Sequence, residues 1–88
     1  MKYNSVVAKI DKLLKKAQDT PQNISFADLC RLAEAYRFVW LHGEGSHRVY
    51  GRANVREVLV FQPGKNGQAK TYQVKQLLRL IDHYGLEG

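Results

Sequence analysis

One stretch of nine residues, GEGSHRVYG from Gly43 to Gly51, combines glycines with a histidine. The histidine, His47, directly follows Gly45 and Ser46. Histidine protonates near neutral pH, so it can act as a general acid or base without a special environment. RNA can be cleaved without a metal when a base takes the 2′-hydroxyl proton and an acid protonates the leaving oxygen. His47 could serve in either role, and positive charge nearby would stabilise the charge that develops on the phosphate.

The positive charge of the chain is concentrated around this stretch and in the N-terminal part. The net charge is +6. Residues 1–20 carry +3 (five lysines, two aspartates) and residues 45–72 carry +4 (five basic residues, one glutamate). This distribution favours a surface that binds phosphate groups, although a basic face that only keeps a protein in solution gives the same pattern. The residues expected to hold an RNA backbone are Gly45, Ser46, Arg48, Arg52, Lys65 and Lys70.

The composition is that of an ordinary globular domain. The chain is 44% hydrophobic and 25% charged, and it has no apolar run of the roughly 18 residues that a membrane span requires. Cys30 is its single cysteine, which excludes an internal disulfide and a cysteine-based zinc site. No set of Cys, Asp or Glu completes a histidine metal site at a usual spacing, so we expect neither metal nor cofactor. The N-terminus has no signal-peptide pattern, and we expect a cytoplasmic protein with no membrane contact.

The elements that position these residues follow from the spacing of the apolar side chains. The pattern predicts a helix at 4–18, a second helix after the N-cap Ser25, and a third at 72–84 that ends at Gly85. Strands are predicted at 38–42, 46–50 and 57–62, the last with apolar residues on both faces, which favours a central position. We therefore expect an α+β fold of order α-α-β-β-β-α, with a three-stranded antiparallel sheet and the helices on one face.

The register of the first two strands decides what His47 faces. A two-residue turn at Glu44-Gly45 would place His42 opposite His47, with Cβ atoms about 5 Å apart. Two histidines at that distance could divide the acid and base roles. The alternatives are that His42 is a polar strand-end residue that contacts phosphate, and that His47 is a structural residue of the sheet.

The stretch from Ile24 to Leu86 resembles the HicA family of toxin–antitoxin systems. The resemblance is carried by FADLCRLAEAYRF (Phe26 to Phe38), by GSH (Gly45 to His47) with Tyr50 after it, and by YQVKQLLRLIDHYGL (Tyr72 to Leu86).

This resemblance implies a small ribonuclease that cleaves messenger RNA and is neutralised by a HicB-like antitoxin. The length of 88 residues predicts a single domain, residues 1–88, and the resemblance implies that the helix and loop of residues 1–22 are added to a core of residues 23–88. That core would be similar to a double-stranded-RNA-binding domain, with a three-stranded sheet between two helices. The essential histidine of the family corresponds to His47. The chain departs from the common family pattern at Arg37, where glycine is frequent, at Arg48, where a second histidine is frequent, and at His42, where arginine or lysine is frequent.

Two other functions fit the same residues. The fold and the charge suit an RNA-binding module without catalysis equally well. A basic surface is also suited to bind an acidic protein.

Overall fold

The chain forms three helices and one antiparallel sheet. The computed structural model describes residues 5–88, with side chains from residue 9 onward; position 4 of the predicted first helix lies outside this range. The elements are α1 (Ser5–Asp19), α2 (Phe26–Ala35), β1 (Val39–His42), β2 (Arg48–Gly51), β3 (Leu59–Phe61) and α3 (Thr71–Tyr84), with short 3₁₀ turns at Pro21–Asn23 and Lys65–Gly67. The predicted α+β class and the order α-α-β-β-β-α are confirmed. No helix in the described range is long and apolar enough to cross a membrane.

The sheet has one buried face and one face open to solvent. Tyr50, Leu59 and Phe61 point inward and are fully buried with the apolar side chains of α2 and α3. The strand order is β1-β2-β3, so β2 is central and the predicted central position of β3 is wrong. Val58 and Val60, about half exposed, lie on the open face. The apolar residues of segment 57–62 therefore lie on both faces of the sheet although no second layer formed by the described residues covers the open face. On that face the valines are simply exposed.

Helix α1 covers α2 and α3 with its apolar side. Ala17 is fully buried, and Ile10, Leu13 and Leu14 pack against the core. Its lysines at positions 9, 12, 15 and 16 remain exposed. The positive charge of the first 20 residues is therefore presented to solvent along the described part of this helix.

Local hydrogen bonds define the ends of α2 and α3. The Ser25 hydroxyl accepts from the Asp28 N–H at 3.0 Å, which caps the start of α2 as predicted. At the end of α3, Gly85 adopts a left-handed conformation (φ 60°, ψ 43°). The Leu86 N–H donates to the Ile81 carbonyl at 2.9 Å, so the chain turns back in a Schellman motif and Leu86 packs on the core.

Helix α2 ends in the same motif, but with an arginine in the glycine position. Arg37 has φ 70°, and its N–H donates to the Glu34 carbonyl at 3.0 Å. The Phe38 N–H donates to the Ala33 carbonyl at 3.0 Å, which directs the Phe38 side chain into the core. A left-handed conformation is strained for a residue with a Cβ atom. The turn is therefore maintained at a local cost in free energy.

Replacing Arg37 with glycine is expected to raise the free energy of unfolding by about 0.5–1 kcal/mol, because the strain at φ 70° is relieved. Equilibrium urea unfolding measures the change. Arg79→Gly is the matched control, since Arg79 is an exposed arginine inside α3, and there glycine is expected to lower stability by about 1 kcal/mol. Equal destabilisation by both substitutions would contradict the strain at Arg37.

Candidate functional site

His47 lies in the loop between β1 and β2, immediately before β2. Its N–H donates to the Glu44 carbonyl at 3.0 Å and closes a turn in which Gly45 has φ 58°. The imidazole is exposed, and within the described part of the chain it makes no hydrogen bond, ion pair or ring contact. A histidine that supports a fold is normally buried against partners that satisfy its nitrogens. The side chain of His47 is thus free to meet a ligand, while its backbone is held.

The predicted pairing of His42 with His47 is wrong. Strand β1 pairs Trp40 with Tyr50 and, after an irregularity, His42 with Val49. The connection is a five-residue loop, Gly43 to His47, and not the two-residue turn that the prediction required. His42 is exposed at the end of β1, and its carbonyl accepts from Trp40 Nε1 at 3.0 Å.

Gly43 accounts for the shape of this loop. It has φ 105°, and a Cβ atom built on it would lie 2.2 Å from the His47 carbonyl oxygen. The backbones of Gly43 and His47 therefore touch, which closes the base of the loop just before β2 starts. No residue with a side chain can occupy position 43 without moving His47.

The loop after β3 lies at the same end of the sheet as His47. Because β2 and β3 are antiparallel with Arg48 opposite Phe61, the segment before β2 and the segment after β3 must adjoin. The second segment contains Lys65, which is exposed, and leads to Lys70, the half-buried N-cap residue of α3. We call this region, with loop 43–47 and segment 62–70, the histidine end of the sheet. Gly45 and Ser46 are exposed there as well.

Arg52 is located at the opposite end of β2. It follows Arg48 by four strand positions, or about 13 Å. Its Nε donates to the Tyr36 carbonyl at 2.8 Å and its Nη1 to the Ala53 carbonyl at 3.2 Å. The bond to Tyr36 connects the end of β2 to the end of α2. The structure therefore does not place Arg52 near His47.

Arg48 lies at the histidine end, but much of its guanidinium is engaged within the protein. Nε donates to the Gly45 carbonyl at 3.2 Å and Nη1 to the Tyr50 hydroxyl at 3.4 Å. The guanidinium carbon lies 4.2 Å from the ring centroid of Trp40 and 5.6 Å from that of Phe26. This arrangement combines cation–π contacts with two directed hydrogen bonds.

Sequence reasoning missed Glu34 and the role of Tyr50. The Tyr50 hydroxyl donates to Glu34 Oε2 at 2.6 Å, from a ring that is fully buried. Burial, and then this hydrogen bond, raise the pKa of Tyr50 well above its ordinary value, so the hydroxyl keeps its proton. Burial also raises the pKa of the neighbouring Cys30 thiol. The sequence did hold a signal that Glu34 faces the sheet. Glu34 is one helical turn beyond the buried Cys30 and therefore lies on the same side of α2.

Comparison of the chain with models of protein families, with curated proteins and with solved structures gives no match. The resemblance to the HicA family therefore stays a prediction. Among the described residues, no group of three His, Cys, Asp or Glu side chains is arranged to hold a metal ion.

Gly43→Ala is expected to displace the His47 backbone and to lower the free energy of unfolding by about 2–3 kcal/mol, because it combines an unfavourable φ with a clash. Gly85→Ala is the control, since Gly85 also has a positive φ but has open space around its Cβ position. It is expected to cost only about 1 kcal/mol. Urea unfolding and the amide NMR shifts of residues 43–47 report both effects. Equal costs, with the His47 shifts unchanged, would show that the contact between Gly43 and His47 does not hold the loop.

Proposed function

We propose that the protein is a metal-independent endoribonuclease that cleaves messenger RNA and inhibits translation, and that a HicB-like antitoxin neutralises it. The observation that carries this proposal is that the side chain of His47 is exposed while its backbone is held in place. Its imidazole has no hydrogen-bond, ion-pair or ring partner among the described residues, while its backbone is fixed by the Glu44 carbonyl and by the contact with Gly43. A free imidazole on a held backbone suits proton transfer, since a general acid or base must be both available and positioned.

In the proposed reaction a base removes the proton of a ribose 2′-hydroxyl, and the 2′-oxygen attacks the adjacent phosphorus. The bond from phosphorus to the 5′-oxygen breaks, and an acid gives that oxygen a proton. His47 performs one of these two transfers. His42, exposed at the end of β1 beside the same loop, is the second candidate.

The surroundings of His47 support the binding of a phosphate backbone. Lys65 and Lys70 contribute charge at the histidine end, and Gly45 and Ser46 offer backbone and hydroxyl donors. The adjoining start of α3 has no side-chain cap and no acidic residue in its first turn, so its electropositive end is not neutralised there. The order of α2, the three strands and α3 is also the one that the resemblance implies for an RNA-binding core.

His47→Ala is expected to lower the rate of RNA cleavage by about 10²–10⁴-fold, because it removes a proton-transfer group. Stability should change by less than about 0.5 kcal/mol, since the side chain is exposed and makes no hydrogen bond, ion pair or ring contact with the described residues. The measurements are transcript cleavage in vitro, growth on expression, and RNA affinity. His83→Ala is the matched control: His83 is an exposed histidine in the last turn of α3, where it packs edge-on against Tyr84 at 4.8 Å.

Loss of cleavage and of growth inhibition in His47→Ala, with RNA affinity retained, is the expected result. RNA binding by the unmodified protein without cleavage would favour a non-catalytic module. A salt-resistant complex with an acidic protein, without RNA affinity, would favour a protein-interaction domain.

The part of His42 in the reaction is tested by His42→Ala and His42→Arg. If His42 transfers a proton, both variants lose cleavage, because arginine stays protonated at any relevant pH. If His42 only contacts phosphate, arginine preserves activity and alanine weakens RNA binding. Full activity in both variants would exclude either role.

A further inference from the structure

We propose that Arg48, Tyr50 and Glu34 are positioning residues that hold the loop carrying His47. This inference rests on the proposed function for its catalytic consequence, but its structural content can be measured separately. It assigns to Arg48 a role other than the direct RNA contact that its charge suggests.

A continuous chain of hydrogen bonds joins α2 to the loop. Glu34 on α2 accepts from the Tyr50 hydroxyl at 2.6 Å, and the oxygen of that hydroxyl accepts from Arg48 Nη1 at 3.4 Å. Arg48 Nε then donates to the Gly45 carbonyl at 3.2 Å. Gly45 lies inside the turn that the His47 N–H closes. Among the described residues, one guanidinium thus connects the buried sheet to the middle of the loop by hydrogen bonds.

The side chains that form this series of hydrogen bonds are themselves held by further contacts. The Tyr50 ring is fully buried, with its centroid 5.5 Å from that of Phe61. The Trp40 ring, over which the Arg48 guanidinium lies, is tied by its Nε1 to the His42 carbonyl. Because the Tyr50 hydroxyl keeps its proton, it donates to Glu34 and leaves its oxygen lone pairs for Arg48. The guanidinium is therefore aimed at the loop by contacts on its face and on its edge.

The chemistry of this contact requires arginine specifically. The planar fork donates in two directions at once, from Nε and from Nη1, while its flat face lies on an aromatic ring. Lysine keeps the positive charge but cannot make this set of contacts. A residue that bound RNA only through its charge would tolerate lysine, so Arg48→Lys separates positioning from phosphate binding.

The test compares Arg48→Lys and Tyr50→Phe with the unmodified chain. The matched control is Tyr84→Phe, because the Tyr84 hydroxyl also donates to a glutamate, Glu57, at 2.6 Å. That bond ties the connection between β2 and β3 to α3, away from the histidine end. The readouts are kcat and KM for RNA cleavage and the backbone NMR order parameters of residues 43–47.

We expect Arg48→Lys and Tyr50→Phe each to lower kcat by about tenfold with KM within about twofold, since a misplaced catalytic group affects the chemical step and not binding. The order parameters of residues 43–47 should fall from rigid values toward about 0.6. Tyr84→Phe should change neither readout.

Unchanged kcat and unchanged order parameters in Arg48→Lys and Tyr50→Phe would overturn the proposal. A raised KM with kcat unchanged in Arg48→Lys would also overturn it and would assign Arg48 to a phosphate contact that needs the guanidinium and not only its charge. If the unmodified protein cleaves no RNA, the proposed function fails, and the order parameters alone decide the positioning role. In that case, loosening in both variants supports it and an unchanged loop overturns it.

Discussion

The burial of Tyr50 is the constraint on which the sheet, its register and the His47 loop depend. The ring fills the centre of the buried face, so position 50 must point inward. Side chains alternate along a strand, which places Arg48 on the same face and Val49 and Gly51 on the open one. Arg48 is therefore turned toward α2 and the edge of the core, where Phe26 and Trp40 receive it. Arg48 can make its internal contacts because it lies two residues before the buried Tyr50 and shares its face of the strand.

A five-residue loop outside the sheet ladder would lose much of its order without further contacts, since fixing each backbone residue costs roughly 1–2 kcal/mol of conformational entropy. Three contacts oppose that cost here. The His47 N–H donates to the Glu44 carbonyl, the backbone of Gly43 lies against the His47 carbonyl, and Arg48 donates to the Gly45 carbonyl. None of these contacts uses the imidazole of His47. The loop can therefore be held while its histidine remains accessible, which is the combination that proton transfer to a large substrate requires.

Much of this fold could be predicted because its signals are local. Ser25 caps α2, Gly85 ends α3, and apolar periodicity places both helices. The register of β1 and β2 could not be predicted, because it includes an irregularity between Trp40 and His42 that residue types do not reveal. The internal contacts of Arg48 could not be predicted either, because the pairing of β1 with β2 brings Trp40 to it and the conformation of the 43–47 loop brings the Gly45 carbonyl. Glu34 was missed because its partner is 16 positions away in the sequence.

The position of a basic residue in the fold, and not its charge alone, decides whether it is available to RNA. Arg48 and Arg52, at opposite ends of β2, both donate guanidinium hydrogen bonds to backbone carbonyls. Of the four cations predicted to hold an RNA backbone, Lys65 and Lys70 are the two that lie at the histidine end without such hydrogen bonds in the described structure. The surface on which an RNA backbone would lie beside His47 is therefore much narrower than the +4 charge of residues 45–72 suggests. A narrow basic site that offers few phosphate contacts would depend more on the exact position of its histidine, since binding energy alone could not compensate for a misplaced loop.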